Sequence, residues 1–216
     1  MKPPSPAASG DDVAPDPDAS YAALDPRARE VLDCWFGVPG SPEFGTDRKQ
    51  WFKRNAAFDD MLRTRFGALI DAGIAGELDA WQTTPPGALA LVIVLDQFSR
   101  NCHRNTARAF AADAHGLRVA QRMVEVGADR QLPTPYHRAF VYLPYEHSES
   151  LDVQRESLRL AEQLQAEPID PSYYGAALRH AQVIERFGRF PHRNAILGRT
   201  STDEERVFLT QRGSSF

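Results

Sequence analysis

Signals for the start of a helix recur along this chain, and they constrain its fold more than any other feature. A residue with a short polar side chain stands directly before proline ahead of several apolar stretches, at Asp25-Pro26, Thr84-Pro85, Thr134-Pro135 and Asp170-Pro171. The side-chain oxygen accepts a free backbone N–H, and proline at the first helical position loses no hydrogen bond. Thr202, with Glu205 three residues later, matches the capping-box pattern. The chain is therefore predicted to be all-α.

The apolar residues between these signals recur at helical spacing, as in the stripe Phe58, Met61, Leu62, Phe66, Leu69 and Ile70. Residues 89–95 are apolar throughout, and their β-branched members also fit a buried strand. The whole segment, from the Thr-Pro-Pro-Gly sequence before the apolar run to the charged residues after it, is about 15 residues, which is long for a strand. A helix that is apolar on all sides belongs at the centre of a domain. We predict a bundle or short superhelix of antiparallel helix pairs, with roughly seven to nine helices.

Net charge and cysteine usage exclude several classes of protein. The 216 residues carry a net charge of −4, whereas a nucleic-acid-binding surface is normally basic. The longest unbroken apolar run, residues 88–95, is far shorter than the roughly 20 residues of a membrane span. Cys34 and Cys102 form no CxxC pair, so zinc-ribbon and disulfide frameworks are excluded and both are expected to be structural. We expect no cofactor, no nucleic-acid partner and no membrane partner.

The first 20 residues differ from the rest in composition, because five prolines and four aspartates leave almost no large apolar side chain to bury. Residues 1–20 are predicted to be a disordered polar leader, and residues 21–216 a single helical domain. No apolar stretch follows a basic start, so the leader is not a secretory signal. Together with the unpaired cysteines, this predicts a cytoplasmic location.

The first of three polar segments runs over residues 96–101 and is followed by Arg104. On a helix, Asp96 and Arg100 are four residues apart and face each other. The segment is either a local ion pair at the end of a buried helix or part of a binding site. In the second case its ligand contacts would be Asp96, Gln97, Arg100, Asn101 and Arg104.

The second polar segment runs over residues 144–149. Pro144 is predicted to begin a helix, which places Glu146 and Glu149 in or near the first turn, where carboxylates are favoured. His147 would then lie on the inward face of that helix. It is either a core histidine held by a hydrogen bond or a general acid/base whose neighbouring carboxylates raise its pKa. The catalytic candidates are His147, Glu146 and, from the third segment, His192.

The third polar segment, residues 186–194, is rich in arginine. Gly188 is predicted to end a helix, so the segment lies on a loop that Pro191 stiffens. The planar guanidinium group suits a carboxylate or phosphate ligand, although these arginines can also pair with the protein's own acids. Ligand-binding candidates here are Arg189, Arg193 and Asn194, with His180 upstream. No metal site is predicted, because no two histidines stand three or four residues apart and HExxH is absent.

The motifs at residues 31–37 (VLDCWFG) and 186–194 (RFGRFPHRN) are long and specific. With shorter ones at residues 51–52, 58–59, 78–81, 95–98, 142–144, 147–149 and 213–216, they resemble an uncharacterised bacterial family, domain-of-unknown-function family 924. The resemblance implies an all-α fold similar to tetratricopeptide-repeat superhelices. It implies no activity, because the family has none established.

The sequence departs from this family at two positions. The family usually reads DQFPRN, and Ser99 stands here in place of the proline. After Asn101 the family usually has Tyr-Arg-Gly-Thr, and this chain has His103-Arg104-Asn105-Thr106. If either residue shapes a ligand site, this member binds differently. The family motifs coincide with the three polar segments, which favours one shared site over three separate ion pairs.

Three functions fit these features. The leading interpretation is a pocket for a small anionic ligand, in which arginines supply charge and His147, Glu146 and His192 supply proton transfer. A rival interpretation is an interaction scaffold that binds an acidic peptide on a concave helical face. In the third, the polar segments are structural and join helix ends through buried ion pairs.

Overall fold

The computed structural model describes residues 21–215, so the predicted leader lies outside the described residues. Within that range every regular element is helical, which confirms the all-α prediction. The helices are α1 (Pro26–Phe36), α2 (Ala56–Ile74), α3 (residues 85–102), α4 (Asp113–Glu125), α5 (Pro135–Glu146), α6 (Leu151–Leu164), α7 (Ser172–Phe187) and α8 (Asp203–Leu209).

Helix α3 lies at the centre and is the helix predicted from the continuous apolar run. It consists of an α-helical stretch (Pro85–Val92), a π-helical stretch (Ile93–Phe98) and a final α-helical turn (Ser99–Cys102). Residues 88–95 are at most 3% exposed, because α1, α2, α4 and α5 all pack against α3. The first polar segment begins within the π stretch and lies at the C-terminal end of this buried helix.

Three of the four predicted polar-proline pairs begin their helices as expected. At the fourth, Pro171 is the N-cap of α7, and Asp170 accepts the backbone N–H of Ser172. The side chains of Asp25, Thr84 and Thr134 each accept a backbone N–H from the first turn of the helix that follows. Thr202 and Glu205 form the predicted capping box at the start of α8. Local side-chain chemistry therefore sets where these helices begin.

The prediction that Pro144 begins a helix is wrong. Pro144 lies inside α5, which starts at Thr134-Pro135 and continues past it to Glu146, with His147 as the C-cap. The buried face of α5 keeps the chain helical beyond the proline, and the next helix begins only at Leu151. Glu146 therefore lies at a helix C-terminus, where the exposed carbonyl groups disfavour a negative charge. His147 shares no helical face with α6.

Consecutive helices from α3 to α7 pack on each other, and α1 packs across the chain onto α3. Likeness to tetratricopeptide repeats stays a prediction. A large apolar core joins the helices from α1 to the start of α7, and a second, small apolar cluster lies at the C-terminal end of α7. Within residues 21–215 no helix is both long enough and apolar enough to cross a membrane.

The start of α3 gives a test of this packing. A Cβ on Gly87 would collide with the backbone oxygen of Trp81, whereas one on Gly67, inside α2, would meet nothing within 4 Å. We expect Gly87→Ala to lower the free energy of unfolding by about 1–3 kcal/mol, because the backbone must shift. The control Gly67→Ala should raise it by about 0.5–1 kcal/mol, through helix propensity. Urea titrations measure both, and equal effects would contradict this packing.

Candidate functional site

All three polar segments meet where the π stretch of α3 ends. Asp96 is 2% exposed, and its Oδ1 lies 2.8 Å from Arg100 Nη1 and 2.6 Å from His147 Nδ1. Gln97 Nε2 donates to the other carboxylate oxygen of Asp96 at 2.5 Å. The i, i+4 pair predicted for Asp96 and Arg100 is confirmed, and the second polar segment joins it through His147.

Asp113, at the start of α4, links this group to the third polar segment. Arg100 donates to both of its carboxylate oxygens, at 2.9 and 3.1 Å. Arg193 Nη1 lies 3.4 Å from Asp113 Oδ2, and Arg193 Nη2 donates to the backbone oxygen of His147 at 3.0 Å. We call Asp96, Arg100, Asp113, His147 and Arg193 the charged cluster.

His147 is held as a neutral imidazole with a defined tautomer. Burial and the charge of Arg100 lower its pKa, and Asp96 offsets only part of this. Burial alone raises the pKa of Asp96, but Arg100 and His147 more than compensate and hold it below its usual range. A carboxylate can only accept, so the proton of the neutral ring lies on Nδ1 and the lone pair on Nε2. Asp96 therefore orients His147 as a carboxylate orients a general base.

Arg193 is the least completely paired cation of the charged cluster. Its side chain is 8% exposed, and its guanidinium group lies 4.7 Å from the ring of Phe110 and 4.5 Å from that of Phe190. Burial and the nearby Arg100 lower its pKa to about 10, so it stays charged at neutral pH. Its Nε has no hydrogen-bond partner within residues 21–215. Two aromatic rings thus hold a cation that has donors to spare.

Glu146 lies beside the charged cluster and is 4% exposed. Its Oε2 makes no hydrogen bond in the described part of the chain, and His180 Nδ1 lies 3.4 Å away while bonding the backbone oxygen of Ala176 at 2.9 Å. Burial, with the charge of Asp96, raises the pKa of Glu146 to about 8, and Arg179 opposes this rise. At neutral pH Glu146 is therefore mainly a neutral carboxylic acid, which can donate a proton.

The other two histidine candidates line the same region. The ring of His180 lies 5.9 Å from that of His147 and 5.7 Å from that of Phe190, and the ring of His192 lies 5.7 Å from that of Phe190. Burial lowers the pKa of His180 to about 3 and that of His192 to about 4. In the described range, no three His, Cys, Asp or Glu residues are grouped to hold a metal ion.

Arg104 and Asn101 lie outside the charged cluster, on a second carboxylate. Arg104 forms a two-point ion pair with Asp59 at 2.7 and 3.1 Å, and Asn101 Nδ2 donates to Asp59 Oδ1 at 2.8 Å. The departure from the family at His103 also lies at this end of α3, where His103 accepts a hydrogen bond from Arg108. For these residues the structure matches the interpretation of internal pairing.

Arg189 and Asn194 lie against the start of α8. Arg189 forms a two-point ion pair with Glu205 at 2.6 and 2.8 Å, and Asn194 Nδ2 donates to the same carboxylate at 3.2 Å. Of the four arginines proposed as anion contacts, only Arg100 and Arg193 therefore lie in the charged cluster.

Sequence reasoning missed Asp113, although that residue completes the cluster. It stands in the first turn of α4, where an acidic residue has an ordinary explanation in the helix dipole. The π turn was also missed. There the buried Ser99 hydroxyl donates to the backbone oxygen of Val94 at 3.3 Å, at the position where the family has proline. A π turn inside an α-helix often marks a functional site.

Two surface depressions lie away from the charged cluster. One, of about 450 Å³, is lined by residues of α4 and α6 with Tyr145, and a second, of about 100 Å³, lies between α6 and α7. None of the predicted site residues lines either of them. Within the charged cluster, the side chains of Asp96 and Arg193 are 2% and 8% exposed, whereas those of Arg100, His147 and Asp113 are 17%, 15% and 22% exposed.

Over residues 21–215, the fold and the cluster define an all-helical protein with a partly buried arginine–carboxylate–histidine centre. The chain belongs to the family described as bacterial proteins of unknown function (DUF924), whose model matches residues 31–213. It is similar to the structure of a protein of unknown function from Agrobacterium tumefaciens, at 36% identity and a TM-score of 0.74, over 84% of this chain and 96% of that chain. No curated protein matches the chain. The family read from the motifs is confirmed, and neither likeness names an activity.

The raised pKa of Glu146 predicts a pH dependence of stability. The pKa of Glu146 is 4.5 as an ordinary carboxyl group and about 8 in the folded protein. The folded protein therefore loses stability as the pH rises between these values. Glu146→Gln removes the titrating group. Between pH 6 and pH 8 the variant should gain about 2 kcal/mol relative to the wild type, measured by urea titration at both pH values.

The control for this experiment is Glu149→Gln. Burial alone would raise the pKa of Glu149. Hydrogen bonds from Arg199 and from the Phe190 N–H more than compensate and hold this pKa below its usual range. Its stabilising effect is complete above the unfolded value and is lost as the pH falls further into the acid range. The difference in the free energy of unfolding between Glu149→Gln and the wild type should stay constant from pH 6 to pH 8. If the corresponding difference for Glu146→Gln is also constant, Glu146 is not a buried neutral acid.

Proposed function

We propose that the charged cluster binds a small carboxylate or phosphate anion at Arg193, and that His147 exchanges a proton with that ligand. The observation that carries this proposal is the Arg193 guanidinium, which is buried beside an Asp96-oriented imidazole while its Nε lacks a partner in the described range. Native proteins rarely leave a buried charged donor unpaired, and an ion or water is the usual complement. An anion supplies the acceptor that Arg193 lacks.

The pairing of the other charges supports Arg193 as the anchor. Arg100 is held by two carboxylates, those of Asp96 and Asp113, at 2.8 to 3.1 Å. Arg193 shares Asp113 only at 3.4 Å. A planar guanidinium with free N–H groups binds carboxylate or phosphate at two points. The ligand would therefore compete with Asp113 for Arg193 and leave Arg100 in place.

The Asp96–His147 pair supports proton transfer at the same place. Asp96 fixes the ring of His147 through Nδ1, which leaves the lone pair of Nε2 as the basic site of the neutral ring. Glu146, neutral at pH 7, adds a group that can return a proton. This pairing of a base with an acid, both oriented by burial, is the arrangement that general acid–base catalysis requires.

We further propose that the ligand is a free small molecule met in the cytoplasm. Both cysteines are free thiols, which is ordinary in a reducing compartment. No cofactor, nucleic acid or membrane is required by the proposed chemistry. The proposal makes no assignment of the oligomeric state.

Removal of Arg193 tests the anion site. Inorganic phosphate, succinate and short acidic peptides are added to the purified protein, and the midpoint of thermal unfolding is followed. A ligand at about 100 times its Kd adds roughly 2.7 kcal/mol, which is a shift of several degrees at this size. We expect Arg193→Ala to lose the shift, and Arg193→Lys, which keeps the charge without the planar fork, to weaken it.

The matched control is Arg186→Ala, on the same arginine-rich tract. Arg186 is half exposed and pairs with Glu204 on the surface, so its removal should leave the shift intact. An undiminished shift in Arg193→Ala would refute the anion site. A shift produced by peptides alone, and kept in both variants, would favour the interaction scaffold.

The state of His147 can be tested before any substrate is known. We expect its ring to stay neutral below its ordinary pKa of 6.5, with the proton on Nδ1, because burial and Arg100 disfavour the charged form. Nitrogen-15 NMR of the imidazole groups between pH 5 and pH 8 measures both properties. Asp96→Asn should abolish the preference for the Nδ1–H tautomer. The reference is His115, which meets Asp79 through its other ring nitrogen, Nε2, so Asp96→Asn should leave its signals unchanged. An imidazolium signal from His147 at pH 7 would overturn the assignment of the base.

A further inference from the structure

The segment that carries Arg193, residues 188–202, runs between α7 and α8 across the charged cluster. We call it the C-terminal strap. It starts at Gly188, whose φ of +66° reverses the chain in a conformation that favours glycine, and its turn Pro191–Arg193 brings Arg193 onto the cluster. The strap therefore decides whether Arg193 is in place.

No residue of the strap belongs to the large apolar core. Its buried ring, Phe190, belongs to the small second cluster with Val183 and Ile184, against which Phe187 and Phe208 pack. Arg189 and Asn194 bond Glu205 in α8 and so fasten the strap to α8 rather than to the body of the protein. Polar contacts must therefore hold the strap to the body.

The strongest of these polar contacts is a bidentate ion pair between Glu149 and Arg199. Arg199 Nη1 lies 2.6 Å from Glu149 Oε2, and Nη2 lies 2.9 Å from Oε1. The same two side chains also bind the backbone of Phe190. Glu149 accepts a hydrogen bond from its N–H at 2.8 Å, and Arg199 donates one to its carbonyl oxygen at 3.2 Å. The side chains of Glu149 and Arg199 are 27% and 25% exposed, so water reaches the pair.

We propose that Glu149 and Arg199 are positioning residues that form a latch, which holds the C-terminal strap closed over the charged cluster and releases to admit the anion. This inference rests on the proposed function for the identity of the ligand. The Arg193 side chain is 8% exposed and its Nε is buried, so an anion that contacts this nitrogen needs the strap to move. Opening breaks the latch and the contacts of Arg193 with Asp113, with the backbone oxygen of His147 and with the ring of Phe110, while the bonds between the strap and α8 stay intact.

Hydrogen–deuterium exchange of the full chain tests the latch without any ligand. In Glu149→Gln we expect amides of residues 188–202 to exchange about tenfold faster or more, because a charged two-point pair is lost. Amides of α3, at the centre of the core, should exchange at the wild-type rate. The control is Asp203→Asn, which removes an exposed ion pair of α8 with Arg206 and should change neither region.

A double-mutant cycle separates a latch from a general loss of stability. If Glu149 and Arg199 act as one unit, Glu149→Gln combined with Arg199→Gln should open the strap no more than either variant alone. Additive effects would overturn the latch, and so would unchanged exchange of the strap or an equal rise in α3. Phosphate binding by the wild type is measured separately. Absent binding would refute the proposed function, whereas the exchange data alone decide whether the latch exists.

Discussion

The buried carboxylate of Asp96 is the group on which the rest of the structure depends. A carboxylate that is 2% exposed is stable as an ion only if partners replace its water, and Arg100, His147 and Gln97 supply them. These partners come from α3 and from the end of α5, so the two helices must cross at this point. Because His147 and Gln97 are neutral, loss of Arg100 would leave this buried carboxylate without its adjacent counter-charge, which typically costs about 3–5 kcal/mol.

Local chemistry made most of the fold predictable. Capping residues set the starts of α1, α3, α5 and α8, and the apolar run of α3 required a central helix. Pro144 misled the prediction, because a proline inside a buried last turn has the same sequence signature as one that begins a helix. Packing decides between the two positions, and packing is not local.

The candidate site was predictable in its residue types and not in its pairings. Asp96 meets His147 across 51 positions of sequence, and Arg193 meets Asp113 across 80, so no spacing rule connects them. Arg104 and Arg189 carry the same side chain as Arg193, yet each forms an ion pair with a carboxylate of the protein. Arg104 pairs with Asp59, and Arg189 pairs with Glu205. Which arginine keeps free donors depends on which acid the fold places beside it.

The protonation of Glu146 links the stability of the site to what it can bind. Two arginines and two aspartates balance the charged cluster, provided that its histidine and Glu146 are both neutral. An ionised Glu146 would add a negative charge beside Asp96 and repel an incoming anion. The burial that raises the pKa of Glu146 thus also keeps a further negative charge away from Asp96 at neutral pH. Under the proposed function, an anion at Arg193 and the proton on Glu146 would favour each other's binding, because each would lower the electrostatic cost of the other.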